Sequence, residues 1–340
     1  MNRRVYVWLL LAVAAAVAIT LWAYSRRNGN VVVVYVSHDQ VFSEPILKDF
    51  ERDTGITVKA VYDTEETKSA GVMNRLIAEK DHPQADIYWA NEPIRAEVLR
   101  QRGVTAPYRS PSADGIPDQF REPHGYWTGF SARARVLIVA KTLPDKPTSI
   151  LAYTDPYFRG KSVIANPLFG TTTVHVAALF DIWGDTRGKA FLEAMRSNKV
   201  KIASSNGDSA EQVAAGSFEL GLVDSDDVYS RQQQGQPVEG IYPDQEEGGL
   251  GCFIVPNAVM LIQRAPHPGA GEKLFDYLLL PDTERKLAYS DAAQIPLHPA
   301  VETPPHVRRL DTLRVMKVDY ARVAAKMQAI QPLLKDWVGH

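Results

Sequence analysis

VVVVYVSHD, residues 31–39, places six β-strand formers directly before three polar side chains. A continuous run of this kind is typical of a strand that is covered on both faces, as in a mostly parallel sheet. The residues that follow predict a helix over 43–54, with Ser43 as its N-cap and Gly55 as its stop. A buried strand, a polar turn and a helix in this order favour an α/β fold.

The same order repeats along the chain in two series. The first series has strands at 31–36, 56–62 and 85–90, and helices at 43–54, 70–80 and 93–102. The second series has strands at 161–165, 200–203 and 219–223, and helices at 171–183, 187–197, 209–216 and 226–234. By the right-handed crossover rule, each series builds a mostly parallel, doubly wound sheet. The sequence therefore predicts two α/β lobes.

Two further apolar runs, at 130–140 and 252–262, resemble long strands that cross from one lobe to the other. Two crossings imply a hinge and a cleft between the lobes. The stretch 318–337 predicts an amphipathic helix that packs on this body.

Composition excludes several classes of protein. The 340 residues are 45% hydrophobic and 23% charged, which is ordinary for a folded globular chain. The 38 basic and 40 acidic residues leave a net charge of −2, so we expect no nucleic-acid partner. Cys252 is the single cysteine, which excludes an internal disulfide and a thiolate zinc cluster. The sequence contains no G-x-S-x-G, H-E-x-x-H, P-loop or dinucleotide-binding motif, so no enzyme class is favoured.

The N-terminal segment predicts a membrane-targeting helix. Residues 5–24 carry no charge, and twenty residues at about 1.5 Å rise match the roughly 30 Å hydrocarbon core of a bilayer. The sequence Ala23-Tyr24-Ser25 fits a signal cleavage site only loosely, and the run is longer than a usual signal core. We therefore expect residues 1–27 to form a membrane anchor or signal segment, with the rest outside the cytoplasm.

Polar side chains follow several predicted strands at the point where each strand ends. In open α/β sheets ligands bind beyond the carboxyl ends of the strands. Two such groups lie at the start of a helix: Thr171 and Thr172, which favour an anion or polar group, and the acidic pair Asp226-Asp227. The full set of candidate ligand-binding residues is Ser37, His38, Glu92, Arg133, Thr171, Thr172, Asn206, Asp226 and Asp227.

Several segments together resemble a known family. They are Ser37-His38, residues 46–56, Ala85-Asp86-Ile87 leading to Glu92, Arg133-Ala134-Arg135-Val136 and Gly160-Lys161. The chain resembles the ferric-ion-binding branch of the periplasmic solute-binding proteins over roughly residues 31–303. This resemblance implies a two-lobed Venus-flytrap fold of type 2 that delivers a solute to the permease and ATPase of an ABC importer. The lobes would be 31–132 with 253–303, and 133–252 with 304–340.

The resemblance also implies a metal site. In the metal-binding members a histidine after the first strand, a glutamate after the third and two adjacent tyrosines hold Fe³⁺. His38 and Glu92 match the first two, whereas Asp226-Asp227 stands at the tyrosine pair and Tyr229 follows two residues later. If the transported ligand is ferric iron, its ligands would be His38, Glu92, Asp226 and Asp227, and no resident cofactor is expected.

Two alternatives remain open from the sequence. A phosphorylated or other small polar organic solute would use Arg133 and the hydroxyls at 171–173, with the acidic pair on its hydroxyl or amino groups. A metal-dependent hydrolase would use His38, Glu92 and Asp226. In either solute-binding case we expect a periplasmic monomer that is held at the inner membrane by residues 5–24.

Overall fold

The structure, a computed structural model, describes residues 30–63 and 70–339. The predicted membrane segment at residues 5–24 lies outside the described residues. Among the helices that are described, none is long and apolar enough to cross a bilayer. The N-terminal anchor therefore stays a prediction.

The first lobe is built on a parallel sheet in the order β2-β1-β3. Its strands are β1 (Val31–Val36), β2 (Thr57–Tyr62) and β3 (Ile87–Ala90), and the helices that follow them in turn are α1 (Gln40–Thr54), α2 (Ala70–Ala78) and α3 (Pro93–Gln101). Val34 and Trp89 are fully buried, as the continuous apolar runs predicted. Because these strands are parallel, their carboxyl ends meet at one edge of the lobe.

Helix α1 begins three residues before the predicted N-cap. Asp39 precedes the helix, and Ser43 lies buried inside it, where its hydroxyl donates to the carbonyl oxygen of Asp39 at 2.9 Å. This bond to the preceding turn satisfies the hydroxyl within the helix, so the prediction that Ser43 caps it is wrong. Gly55 ends the helix as predicted, at φ 70°, a backbone conformation that favours glycine.

The second lobe repeats the arrangement. Its parallel strands are β6 (Ser162–Ala165), β7 (Lys201–Ala203) and β8 (Leu220–Asp224), and its helices are α4 (Gly170–Ser197), α5 (Asn206–Ala214) and α6 (Ser225–Gln233). Gly184 interrupts α4 at φ 78° and ψ 165°. The interruption lies between the two helices that the sequence predicted at 171–183 and 187–197.

Strand β5 (Thr128–Ala140) joins the two lobes. Its first half pairs antiparallel with β10 (Ile254–Ile262), and its second half pairs antiparallel with β8. The partner changes between Ala134, which pairs with Ile254, and Arg135, which pairs with Asp224. The full order is β2-β1-β3-β10-β5-β8-β6-β7, with short β4 (Thr105–Ala106) on β10 and β9 (Val238–Ile241) on β5. The predicted crossing at 130–140 is confirmed.

The prediction that a second strand, 252–262, crosses between the lobes is wrong. Strand β10 begins at Ile254 and pairs only with β3, β4 and the first half of β5. The chain instead returns between the lobes through the irregular segment 242–253. Gly251 explains the break, because it has φ 82° and a Cβ there would lie 2.6 Å from the carbonyl oxygen of Arg314. No side chain fits this approach.

The C-terminal helices complete the body. They are α7 (Pro268–Leu278), α8 (Pro281–Tyr289) and α9 (Tyr320–Gly339). Tyr320 at the start of α9 packs edge-on against Trp127, and Trp337 at its end donates its indole N–H to the carbonyl oxygen of Leu192 at 2.8 Å. Helix α9 therefore contacts elements of both series.

A buried ion pair lies where β5 changes partner. The guanidinium of Arg135 is fully buried and donates to Oδ1 of Asp224 at 2.7 Å. The same guanidinium donates to the hydroxyls of Thr171 at 3.0 Å and Thr172 at 2.9 Å. One side chain thus connects β5, the end of β8 and the start of α4.

We expect Arg135→Leu to lower the free energy of unfolding by about 3–5 kcal/mol, because it leaves Asp224 buried without its nearest cation. Urea unfolding followed by circular dichroism measures the change. Arg322→Leu is the control: Arg322 pairs with Asp181 at 2.9 Å, but its side chain is 65% exposed. This exposed pair should contribute less than about 1 kcal/mol. Equal, small losses for both variants would contradict the role of Arg135.

Candidate functional site

A cleft of about 750 Å³ lies between the two lobes, at the carboxyl ends of β1 and β8. The first lobe contributes residues 37–42, Tyr62, Asp63 and Asp291, and the second contributes Asp226, Asp227, Tyr229 and the next turns of α6. Five of the lining side chains are aspartates, and none of the described lining residues is Lys or Arg. The cleft is therefore a polar, acidic space of the size that holds a small solute.

The start of α6 places the acidic pair in the cleft. Asp224 ends β8, and Asp227 accepts a hydrogen bond from the backbone N–H of Asp224 at 2.9 Å. Carboxylate oxygens of Asp224, Asp226 and Asp227 lie within 4.8 Å of one another. The predicted pair Asp226-Asp227 is thus brought together with a third carboxylate, which the sequence analysis did not select.

Ionisation of both carboxylates of the acidic pair is unfavourable. Burial raises the pKa of Asp226 to about 6, with Arg133 opposing the shift and Asp224 adding to it. Burial, followed by the charge of Asp226, holds the pKa of Asp227 well above its usual range. A cation between the two carboxylates would favour the ionised form of both.

Arg133 lies beside this acidic group. Its Nη2 donates to the backbone oxygen of Asn91 at the end of β3, and its Nη1 lies 3.8 Å from Oδ2 of Asp224. The side chain is 8% exposed. Arg133 therefore bridges the two lobes, interacts with Asp39 and Asp226 on the two walls and partly offsets the negative charge there.

Ser37 and His38 lie on the opposite wall of the cleft. The Ser37 hydroxyl donates to Oδ2 of Asp63 at 3.0 Å and lies 2.8 Å from the hydroxyl of Tyr88. The His38 ring stacks on Trp89 with ring centroids 5.4 Å apart, and its Nε2 lies 3.3 Å from Nε2 of Gln294.

Glu92 does not line the cleft. It precedes α3, and its carboxylate accepts from the backbone N–H groups of Ile94 at 2.5 Å and Arg95 at 3.2 Å. Nη1 of Arg95 lies 2.8 Å from the same carboxylate, which is 1% exposed. The structure therefore does not group the predicted metal set of His38, Glu92, Asp226 and Asp227.

Thr171, Thr172 and Asn206 form a network inside the second lobe instead of an open cradle. Besides Arg135, the Thr171 hydroxyl contacts Asp224 at 3.0 Å and accepts from Nδ2 of Asn206 at 2.9 Å. The Thr172 hydroxyl donates to Oδ1 of Asn206 at 3.3 Å. These side chains do not line the cleft, and their hydrogen bonds hold Asp224 in place.

Several residues of the first wall are not among the ligand-binding residues that the sequence predicted. Tyr62 and Asp63 stand at the carboxyl end of β2, and Asp39 follows Ser37 and His38. The rule that found the polar groups after β1 and β8 would also have found Tyr62 and Asp63. Asp291, after α8, had no such signal.

We expect Asp226→Asn to stabilise the empty protein at pH 7.5 by about 1–2 kcal/mol, because it removes a poorly solvated charge. The folded-state pKa of Asp226, about 6, exceeds its ordinary value of 3.8. The folded protein thus holds the proton more tightly, and stability falls as pH rises from about 4 to about 6. The melting-temperature difference from the parent should therefore vanish near pH 4. Asp145→Asn, at an exposed aspartate outside the cleft, is the control; a pH-independent gain would contradict the assignment.

Two curated relatives have similar sequences over most of their length. Iron uptake protein A1 of Synechocystis sp. is 23% identical over 286 residues, covering 79% of this chain and 78% of that protein. A putative 2-aminoethylphosphonate-binding periplasmic protein of Salmonella typhimurium is 24% identical over 286 residues, covering 82% and 81%. The names of these relatives indicate different solutes.

A solved structure shows the same fold. The apo ferric ion-binding protein A of Pasteurella haemolytica superposes with a TM-score of 0.80 at 22% identity, covering 91% of this chain and 98% of that one. Residues 31–288 match the family of bacterial extracellular solute-binding proteins. The two-lobed fold, the interlobe cleft and this match agree, and the chain belongs to the bacterial extracellular solute-binding proteins, which capture solutes for ABC importers.

Proposed function

We propose that this solute-binding protein captures a positively charged solute and delivers it to an ABC permease and its ATPase. The proposal rests on the residues that line the cleft. Five of them are aspartates, and none of the described lining residues is Lys or Arg. An acidic cleft in which the pKa of Asp226 is raised to about 6 is stabilised by a cation and not by an anion.

Ferric iron is the cation that the sequence resemblance suggests. The oxygens of Asp226 and Asp227 are hard donors, which suit Fe³⁺, and a relative named as an iron uptake protein supports this solute. These donors come from the second lobe, and Glu92 is held by α3 and Arg95. A ferric site would therefore need its remaining ligands from other groups of the first lobe.

A phosphorylated solute has less support from the geometry. The hydroxyls of Thr171 and Thr172 are engaged with Arg135, Asp224 and Asn206. Arg133 is buried and donates to the backbone of Asn91. The hydrolase alternative also loses support, because Glu92 is paired with Arg95 and does not line the cleft with His38 and Asp226.

We expect cations to raise the melting temperature of the purified protein, whereas glucose 6-phosphate and inorganic phosphate should not. A solute at 100 times its dissociation constant adds about 2.7 kcal/mol of stability. Asp226→Asn and Asp227→Asn should each weaken binding of an active cation at least tenfold, or about 1.4 kcal/mol, through loss of a charged partner. Asp145→Asn should leave binding unchanged. Binding of phosphates alone, unaffected by the cleft variants, would refute the proposal.

We further propose that residues 5–24 are retained and hold the protein at the outer face of the inner membrane. The length of the uncharged run supports retention, because it matches the thickness of a bilayer. Intact-mass measurement of the protein from the membrane fraction should give the mass of a chain that keeps this segment. A mature N-terminus near Arg26 would instead identify a cleaved signal.

A further inference from the structure

We propose that the solute is an organic amine whose ammonium group is held by carboxylates and aromatic rings of the cleft. This inference rests on the proposed function, because an amine is one class of positively charged solute. It differs from the ferric-iron expectation of the resemblance. Three features of the structure carry it: the hydrogen bonding of His38, the hydrogen bonding of Glu92, and the aromatic lining.

The hydrogen bonding of His38 begins at Asn257. Nδ2 of Asn257 donates to the backbone oxygen of Ser131 at 2.7 Å and to Oε1 of Gln294 at 2.8 Å. A carbonyl oxygen can only accept, so the amide orientation of Asn257 is determined. The oxygen of Gln294 then faces Asn257, and the nitrogen of Gln294 faces Nε2 of His38 at 3.3 Å.

These hydrogen bonds determine which ring nitrogen of His38 carries the hydrogen. An amide nitrogen donates, so Nε2 of His38 accepts, and the neutral ring carries its proton on Nδ1. A metal ligand needs a ring nitrogen with an available lone pair. The Nε2 lone pair is engaged by Gln294, and Nδ1 carries a hydrogen. His38 is therefore arranged as a hydrogen-bonding residue on Trp89, and a metal at Nε2 would have to displace the amide of Gln294.

Glu92 is committed in the same way. The start of α3 gives it two backbone N–H donors, and Arg95 gives it a buried guanidinium at 2.8 Å. Removing the carboxylate from these partners would leave Arg95, which is 7% exposed, without its counter-charge. Both first-lobe residues that the resemblance assigns to a metal thus have other roles in this chain.

The cleft offers a different set of groups for a cation. Phe42, Tyr62 and Tyr229 line it together with Asp226 and Asp227. The ring of Tyr229 is held in place by stacking on His306, with centroids 4.1 Å apart and planes 9° apart. Burial, with a smaller contribution from Glu44, raises the pKa of Tyr62 to about 12, so its ring stays a neutral phenol.

Aromatic faces beside carboxylates bind ammonium groups, since the ring attracts the cation and the carboxylates accept its N–H bonds. The volume of about 750 Å³ also accommodates a small organic molecule. Aspartates occur on both walls, so a molecule with two ammonium groups could contact both lobes. The structure therefore favours an amine of this kind over a bare metal ion.

The test compares 1,4-diaminobutane with Mg²⁺, which carries the same charge, and with ferric citrate, by calorimetric titration of the purified protein. We expect the diamine to bind and Mg²⁺ and ferric citrate to bind at least tenfold more weakly. Tyr62→Leu should weaken diamine binding about tenfold, through loss of the ring. Tyr62→Phe keeps the ring and should bind as the parent does.

Tyr289→Leu is the control for the loss of a tyrosine, because Tyr289 is 54% exposed and does not line the cleft. Ferric citrate binding more tightly than the diamine would overturn the amine inference; release of free citrate on binding would leave the cationic proposal in place, and binding of the intact anionic complex would overturn that proposal as well. Failure of 1,4-diaminobutane, ethanolamine and choline to bind at millimolar concentration would also overturn the amine inference. Binding of phosphates alone would overturn both proposals.

Discussion

The ion pair of Arg135 and Asp224 is the constraint on which both the crossing strand β5 and the site depend. Arg135 is the first residue of β5 that pairs with the second lobe, and Asp224 is its direct partner on β8. The pair therefore fixes the register of the crossing strand. Asp224 also precedes α6, so the same bond determines where Asp226 and Asp227 enter the cleft. A buried pair with additional hydrogen bonds from Thr171 and Asn206 can serve as such an anchor.

The negative charge of the cleft aspartates also bears on how the protein binds a solute. The acidic lining makes closure of the two walls unfavourable without a counter-charge, because the aspartates of both lobes would approach one another. A solute of the proposed cationic class would remove this repulsion. It would then bind an arrangement with the walls close together better than one with the walls apart, which is the condition for a ligand to shift a conformational equilibrium. Arg133, bonded to the end of β3 and near Asp224, moderates the repulsion.

Sequence patterns predicted the elements better than the roles of individual side chains. The strand-and-helix order and the crossing at β5 follow from local apolar runs, and the interruption at Gly184 follows from the residue type. The return segment before β10 could not be predicted, because its form depends on the close approach of Gly251 to Arg314. The strand-end rule located Ser37, His38 and the acidic pair in the cleft. It also selected Glu92, whose carboxylate is bonded to residues two and three positions later at the start of α3. It selected Thr171 as well, whose partners Arg135 and Asp224 only the fold brings near.

Glu92 shows why a residue that matches a family position need not keep the family's role there. The sequence shows a carboxylate after β3, and a carboxylate can bind a metal or cap a helix. The choice depends on the competing partners, and here two N–H groups of α3 and the guanidinium of Arg95 are already within hydrogen-bonding distance. A metal would have to displace a charged partner from a buried site, at a cost of several kcal/mol. Among the described residues, no side chain of opposite charge lies at hydrogen-bonding distance from the acidic pair on α6, so these carboxylates differ from Glu92 in having no such competitor.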